Sequence, residues 1–270
     1  MNLNGYKLIK KILKKLVFLF KKIFIFEKHL IIDECKVVSD YFGSEIGTVV
    51  DIGAMKGGCT DLFFAKGWDC FAVECNPDLV EFLKVKYMKN KNVKIINKAI
   101  SFKNSRQKLY KSNESLGITS LLDFHNSHEY FKDVSTITFS KFLNSEQIFN
   151  IDFLKIDIEG YEYFVLNDPS FKKIKPKIVL LEFEFNKIKK LNLSTNQILN
   201  KLIELDYIIY IFEWYPIKKF GTFHDFKKFY NYKGQNLDND SWGNILAFSS
   251  IPNEYKLLKI VEDNIKNVYF

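Results

Sequence analysis

The chain has 270 residues, 47% hydrophobic and 16% aromatic, the size and composition of one α/β domain with an appendage. Its formal charge of +8 is not spread evenly. Eight lysines (Lys7, Lys10, Lys11, Lys14, Lys15, Lys21, Lys22, Lys28) stand against Glu27 in residues 1–28, and the remainder is close to neutral. That argues against nucleic acid as substrate, which needs a positive field along its own path.

From Leu8 to Phe26, lysine pairs alternate with apolar pairs at helical spacing, so residues 1–32 are expected to form a basic amphipathic helix. The apolar run from Leu16 to Phe20 is far short of the ~20 residues that cross a bilayer, and no small-residue cleavage site follows a continuous apolar stretch. Such a helix either lies on an anionic membrane with its lysines at the headgroups or packs on its own domain; periodicity does not separate lipid from protein. Cys35, Cys59, Cys70 and Cys75 form no C-x-x-C pair, and three lie in or beside segments that read as buried strand or loop. Reduced thiols in a cytoplasmic protein, at most at the inner face of the membrane, are expected.

Residues 33–270 read as one domain in which short β-rich runs alternate with helical stretches, the signature of a doubly wound, mostly parallel sheet. Residues 48–52 predict the first strand, 53–58 the loop after it, and a short helix runs to about Lys66 before Gly67 breaks it. Residues 70–74 predict the second strand. Asn76-Pro77-Asp78 then opens a helix, Asn76 capping and Pro77 in the first position, where its missing N–H costs nothing. The third strand falls at 93–97. Residues 101–150 are an irregular insertion with short alternating runs such as Ser135 to Phe139, a natural place for substrate contacts. Strands follow at 153–157 and 178–182, then a helix from about Thr195 to Leu205 capped by Ser194, and strands at 207–212 and 244–248 complete seven.

Ligands of open α/β sheets bind outside the carboxyl ends of the strands, so the residues there carry the chemistry. The first loop, Asp51-Ile52-Gly53-Ala54-Met55-Lys56-Gly57-Gly58, has glycines spaced G-x-x-x-G-G behind an acid, unlike the G-x-G-x-x-G of dinucleotide folds. Its glycines let the backbone turn against a bulky ligand, and the acid suits a cation better than a diphosphate. Glu74, closing the second strand, is placed for the two hydroxyls of a ribose. The fourth strand ends in Asp157-Ile158-Glu159-Gly160, two carboxylates that can take a proton, orient a hydroxyl or hold a divalent cation. The alternative is structural: Glu159 capping the next helix and Asp157 bonding loop amides. His125, His128 and His224 lack a second ligand pair at metal spacing and read as ordinary histidines, so no metal is expected.

These motifs, in this order, resemble the FkbM-like S-adenosylmethionine-dependent methyltransferases. That family shows D-x-G-A-N-x-G, E-P-N-P, V-A-L-S-like, K-I-D-V-E-G and a final acid after successive strands. This chain has Asp51-Ile52-Gly53-Ala54-Met55-Lys56-Gly57, Glu74-Cys75-Asn76-Pro77, Lys98-Ala99-Ile100-Ser101, Lys155-Ile156-Asp157-Ile158-Glu159-Gly160 and Leu181-Glu182, with Trp242-Gly243-Asn244-Ile245-Leu246-Ala247 near the end. The resemblance implies a Rossmann-like seven-stranded methyltransferase sheet and S-adenosylmethionine as cofactor. It would be held by Asp51, Gly53, Ala54, Gly57, Glu74 and Asn76, with Ala99 near the adenine. It further implies Asp157 and Glu159 on the acceptor side, with Glu182 as a third acid, and a hydroxyl of a glycan or related small natural product as acceptor. Met55 replaces the family's Asn and removes a polar side chain near the methionine tail; Cys75 replaces Pro, while Asn76-Pro77 still starts the helix. Two rivals remain: a catalytically silent membrane-attached scaffold, to which Met55 points, and a nicotinamide-dependent oxidoreductase, against which the missing G-x-G-x-x-G counts.

Overall fold

The structure, a computed structural model, describes residues 28–222, 224–237 and 242–269. The expected N-terminal helix lies outside the described residues as far as residue 27, and its last turn is not helical: Lys28–Ile31 is a strand, β1. The reason is tertiary, because β1 pairs antiparallel with the last strand of the chain, Lys266–Tyr269, a partner that local periodicity cannot reveal. No helix of the described residues is long and apolar enough to cross a membrane.

After β1 come α1 (Glu34–Phe42), β2 (Thr48–Ile52), α2 (Gly58–Phe64), β3 (Asp69–Glu74), α3 (Pro77–Tyr87) and β4 (Val93–Asn97). Next come β5 (Ala99–Ile100) and, within the insertion, β6 (Ser105–Ser112), a 3₁₀ turn at Leu116–Ile118, β7 (His128–Ile137) and α4 (Phe139–Glu146). Then follow β8 (Phe153–Ile156), α5 (Glu162–Leu166), α6 (Pro169–Ile174), β9 (Ile178–Glu184), α7 (Phe185–Lys189), α8 (Thr195–Glu204) and β10 (Ile208–Trp214). The chain closes with β11 (Phe226–Asn231), β12 (Trp242–Phe248), α9 (Glu254–Asn264) and β13 (Lys266–Tyr269). The caps are those the sequence specifies: Asn76 accepts from the Asp78 amide, and Ser194 with Gln197 forms a capping box on α8.

The main sheet runs β11-β10-β12-β9-β8-β2-β3-β4. From β4 through β9 every pairing is parallel; β12, β10 and β11 join antiparallel. All seven expected strands are present, and β11 adds an eighth on the edge. Its lysines, Lys227 and Lys228, belong to a half-solvated edge strand and disguise it as loop.

Strand side chains alternate between two cores, one on each face. Val50, Ile52, Leu154, Ile156, Val179 and Leu181 pack with Phe142, Val165, Phe171 and Leu199 from α4, α5, α6 and α8. The intervening Val49, Phe153, Ile178 and Leu180 pack with Val38, Phe63 and Leu257 from α1, α2 and α9. Both faces being covered, the carboxyl edge of β2, β3, β4 and β8 is the open margin where loops gather. The insertion's three-stranded sheet, β5-β7-β6, returns its 116–121 turn to that margin.

Candidate active site

A cleft at this margin is lined by Gly53 and Met55 after β2, Glu74 and Cys75 after β3, Lys98 to Ile100 after β4, Asp157 to Glu159 after β8, and the turn from Leu116 to Leu121. Its two walls are built differently.

On the β3 wall, Glu74 is buried and its carboxylate accepts three backbone amides, from Met55 at 2.9 Å and from Cys75 and Asn76 at 2.8 Å each. Burial pushes its pKa up and the three amides pull it back, leaving it above the ordinary range. Gly53 and Ala54 both donate to the Val73 carbonyl, bending the loop over β3. Gly53 has φ +83° and lies so close to the β8 loop that a Cβ would stand 1.8 Å from the Asp157 carbonyl oxygen. Only glycine fits there.

Of the residues expected to hold the cofactor, Gly53, Glu74 and Ala99 line the cleft. Asp51, Ala54, Gly57 and Asn76 stand behind it. Asp51 is buried and accepts from the Thr60 amide and hydroxyl, tying the loop to α2. Ala54 packs with Leu83 and Tyr87, and Gly57 (φ +78°) is the cap position of α2 with its carbonyl bonded to the Tyr87 hydroxyl. Asn76 spends its side-chain oxygen on α3. These four shape the loop and the helix start; period-two alternation turns Asp51 beneath the loop, where its partner Thr60 lies beyond local inspection.

On the β8 wall, Asp157 and Glu159 line the cleft and Glu182 stands beside them, with carboxylate oxygens of the three within 4.8 Å of one another. Glu159 sits at φ +59°, a left-handed conformation that a side chain adopts at a cost. Glu162 stabilises the turn by accepting from the Ile158 and Gly160 amides, and the Ser120 hydroxyl donates to the Glu159 carbonyl at 3.1 Å, pinning the insertion to this wall. Burial, with Glu182 and Asp157 adding to it against Lys187, pushes the Glu159 carboxyl well above its usual range. Burial likewise brings Glu182 to about 8, the neighbouring Lys187 opposing and Asp157 and Glu184 reinforcing.

Two lysines that the sequence reading passed over organise both walls. Lys155 Nζ lies 3.2 Å from Asp157, 3.2 Å from the Gly53 carbonyl and 3.6 Å from Asp51, joining the two loops. Burial lowers its pKa, but Asp157 and Asp51 outweigh burial and hold it well above the ordinary value. Lys187, on α7, reaches Glu159 at 2.6 Å and Glu182 and Glu184 at 2.8 Å each. The one available signal was Lys155 itself, a charge inside an apolar strand.

The histidines serve structure: His128 bonds the Ile118 carbonyl at 2.8 Å, His125 the Ser127 hydroxyl at 2.7 Å, and His224 stands edge-on to Trp242. All four cysteines are free thiols.

The cleft fits S-adenosylmethionine by the chemistry of its lining. Ile52, Val73, Leu79, Ile100, Leu116 and Leu121 offer an apolar slot for a base, and Glu74 a carboxylate for vicinal hydroxyls.

Residues 51–209 match the profile of the methyltransferase FkbM domain. A search of curated proteins found no match. Among solved structures, the chain is similar to precorrin-6y C5,15-methyltransferase from Geobacter metallireducens, with 11% identity over 79% of this chain and 85% of that one and a TM-score of 0.41. It is also similar to an S-adenosylmethionine-dependent O-methyltransferase from Thermotoga maritima (13% identity, 82% and 66% covered, TM-score 0.38). An rRNA methylase from Streptococcus thermophilus matches at 8% identity, with 80% and 93% covered and a TM-score of 0.41.

Proposed function

This chain belongs to the FkbM methyltransferase family and its methyl donor is S-adenosylmethionine; from that premise we propose that it methylates a hydroxyl of a glycan or related small natural product. The observation that carries this reading is the pairing of walls across one cleft: Glu74, set by backbone amides, faces a carboxylate cluster at Asp157 and Glu159. A hydroxyl is a weak nucleophile until a base takes its proton, and carboxylates held at the cleft wall are suited to that work.

S-adenosylmethionine supplies an already activated methyl, so the protein's tasks are binding, orientation and proton removal. Gly53 allows the β2 loop to close on the β8 loop. Glu74 would accept from the ribose hydroxyls, and Ala99 with Ile100 would border the base. Asp157, at the cleft and with its side chain 38% exposed, accepts the proton of the acceptor hydroxyl. Glu159 and Glu182, both raised in pKa by burial, orient the acceptor and share the proton load.

Calorimetric titration with S-adenosylmethionine and with NAD, on the native chain and on Glu74→Ala, tests the cofactor assignment. The native protein is expected to bind S-adenosylmethionine and not NAD, with the variant at least about tenfold weaker, some 1.4 kcal/mol. Binding of NAD would return the oxidoreductase reading. A folded native protein that binds neither would return the scaffold. A glycan panel with radiolabelled donor then reads the acceptor, and label recovered on nitrogen or carbon would overturn O-methylation.

A further inference from the structure

Asp157, Glu159 and Glu182 bring carboxylate oxygens close enough together to surround a divalent cation. Two of the three, Glu159 and Glu182, already share a cation, while Asp157 is paired with Lys155 at 3.2 Å. The Lys187 ammonium, with its side chain 3% exposed, contacts Glu159 at 2.6 Å, Glu182 at 2.8 Å and Glu184 at 2.8 Å, and stands 5.6 Å from the centre of the Phe124 ring. Each carboxylate comes from a different point of the chain: the turn after β8, then two alternate residues of β9. The lysine follows three residues after Glu184 on α7, so the turn from strand to helix delivers it into the cluster it neutralises.

We propose that Lys187 is the resident cation of the acceptor wall, a positioning residue that takes the place a divalent metal would otherwise fill and makes methyl transfer independent of added metal. The geometry supports this over an ordinary surface ion pair in two ways. Lys187 holds three carboxylates rather than one, and burial forbids a large uncompensated negative charge, so the cluster needs a positive centre in place before any substrate arrives. A tethered ammonium occupies that centre without being lost to dilution or chelators. It also fixes Glu159, which its left-handed backbone alone would hold at a cost, with its carboxylate turned toward the cleft wall.

The assignment of this wall to the acceptor rests on the methyltransferase reading above, and the test is kept separate from it by measuring metal binding directly. Manganese is titrated into the native chain and into Lys187→Met, and free Mn²⁺ is followed by its EPR signal; donor binding by calorimetry and the far-UV CD spectrum report whether each protein is folded. The native chain is expected to hold Mn²⁺ no more tightly than about 1 mM. Lys187→Met is expected to bind one Mn²⁺ at least about tenfold more tightly, and Glu182→Gln added to it should abolish that gain. Should Lys187→Met fail to fold, Glu184→Gln combined with it removes one of the orphaned charges and leaves the other three acids to be read. Tight Mn²⁺ binding by the native chain overturns the proposal, and so does a folded Lys187 variant that gains no affinity. Loss of donor binding in the native chain would instead strike the methyltransferase reading and leave the manganese result to stand alone.

Discussion

The two walls of the cleft solve the problem of a buried carboxylate in opposite ways. Glu74 is compensated by three backbone amides, neutral dipoles fixed by the turn after β3 and the loop after β2. Glu159, Glu182 and Glu184 are compensated by one buried side chain, that of Lys187. Backbone dipoles cannot be removed by a side-chain substitution, whereas a lysine can. Apart from Glu74 itself, the donor wall is therefore expected to tolerate changes in its loop side chains and to fail where the backbone path is blocked, while the acceptor wall depends on single residues and on pH.

Blocking the backbone path gives the largest effect. Gly53→Ala places a Cβ 1.8 Å from the Asp157 carbonyl at a residue with φ +83°, so the two loops must separate. A loss of about 3 kcal/mol in denaturant unfolding is expected from steric crowding and the left-handed backbone together, with donor binding lost as well. Gly58→Ala is the matched control, since a Cβ there meets nothing within 4 Å, and it should behave as the native chain. Equal stability of the two variants would remove the idea that the donor wall is set by backbone contact.

The acceptor wall should show itself in pH. Burial raises the Glu182 pKa from 4.5 to about 8. A carboxyl raised on folding contributes stability fully below the unfolded value, and that contribution is lost as pH rises through the folded value. Between pH 4.5 and about 8 the cluster therefore becomes less stabilising as it becomes a better base. Turnover is expected to climb toward an apparent pKa near 8 while thermal stability declines over the same window. Glu182→Gln removes the group whose titration sets this limb, so the rise near pH 8 should disappear. A limb that stays where it was would assign the titration to another group.

What could be read from the sequence divides along the same line as the walls. The seven strands are visible because strands buried on both faces are short apolar runs, and the caps at Asn76 and Ser194 because their partners lie two or three residues away. The donor loop is legible for the same reason: Gly53, Met55 and Glu74 act through backbone that the motif itself specifies. Asp51 is visible as an acid but not in its aim, since only the pleat of β2 sends it under the loop to Thr60. The acids Glu159 and Glu182 are legible, but the place of Lys187 among them is not, because Glu159 and Lys187 are brought together by the β8–β9 pairing. Strand β11 and the β1–β13 ribbon stay hidden likewise, edge elements whose stability comes from a distant partner.

Met55 sharpens the contrast with the smallest expected effect. The sequence places it where its family carries Asn, which suggests a lost polar contact, yet in the structure residue 55 contributes its backbone amide to Glu74 and adopts φ +50°. Asn enters that left-handed region readily and Met does not, so backbone conformation supplies a reason for Asn at this position beside any contact its side chain makes in the cleft. Met55→Asn is then expected to raise stability by about 1 kcal/mol in chemical denaturation, from relief of backbone strain. Affinity for S-adenosylmethionine should change by less than about threefold, because the amide that meets Glu74 is the same in both chains. A gain of tenfold or more in affinity with no gain in stability would show that the side chain at 55 faces the ligand, and would mark this chain as one whose donor wall has been weakened by substitution.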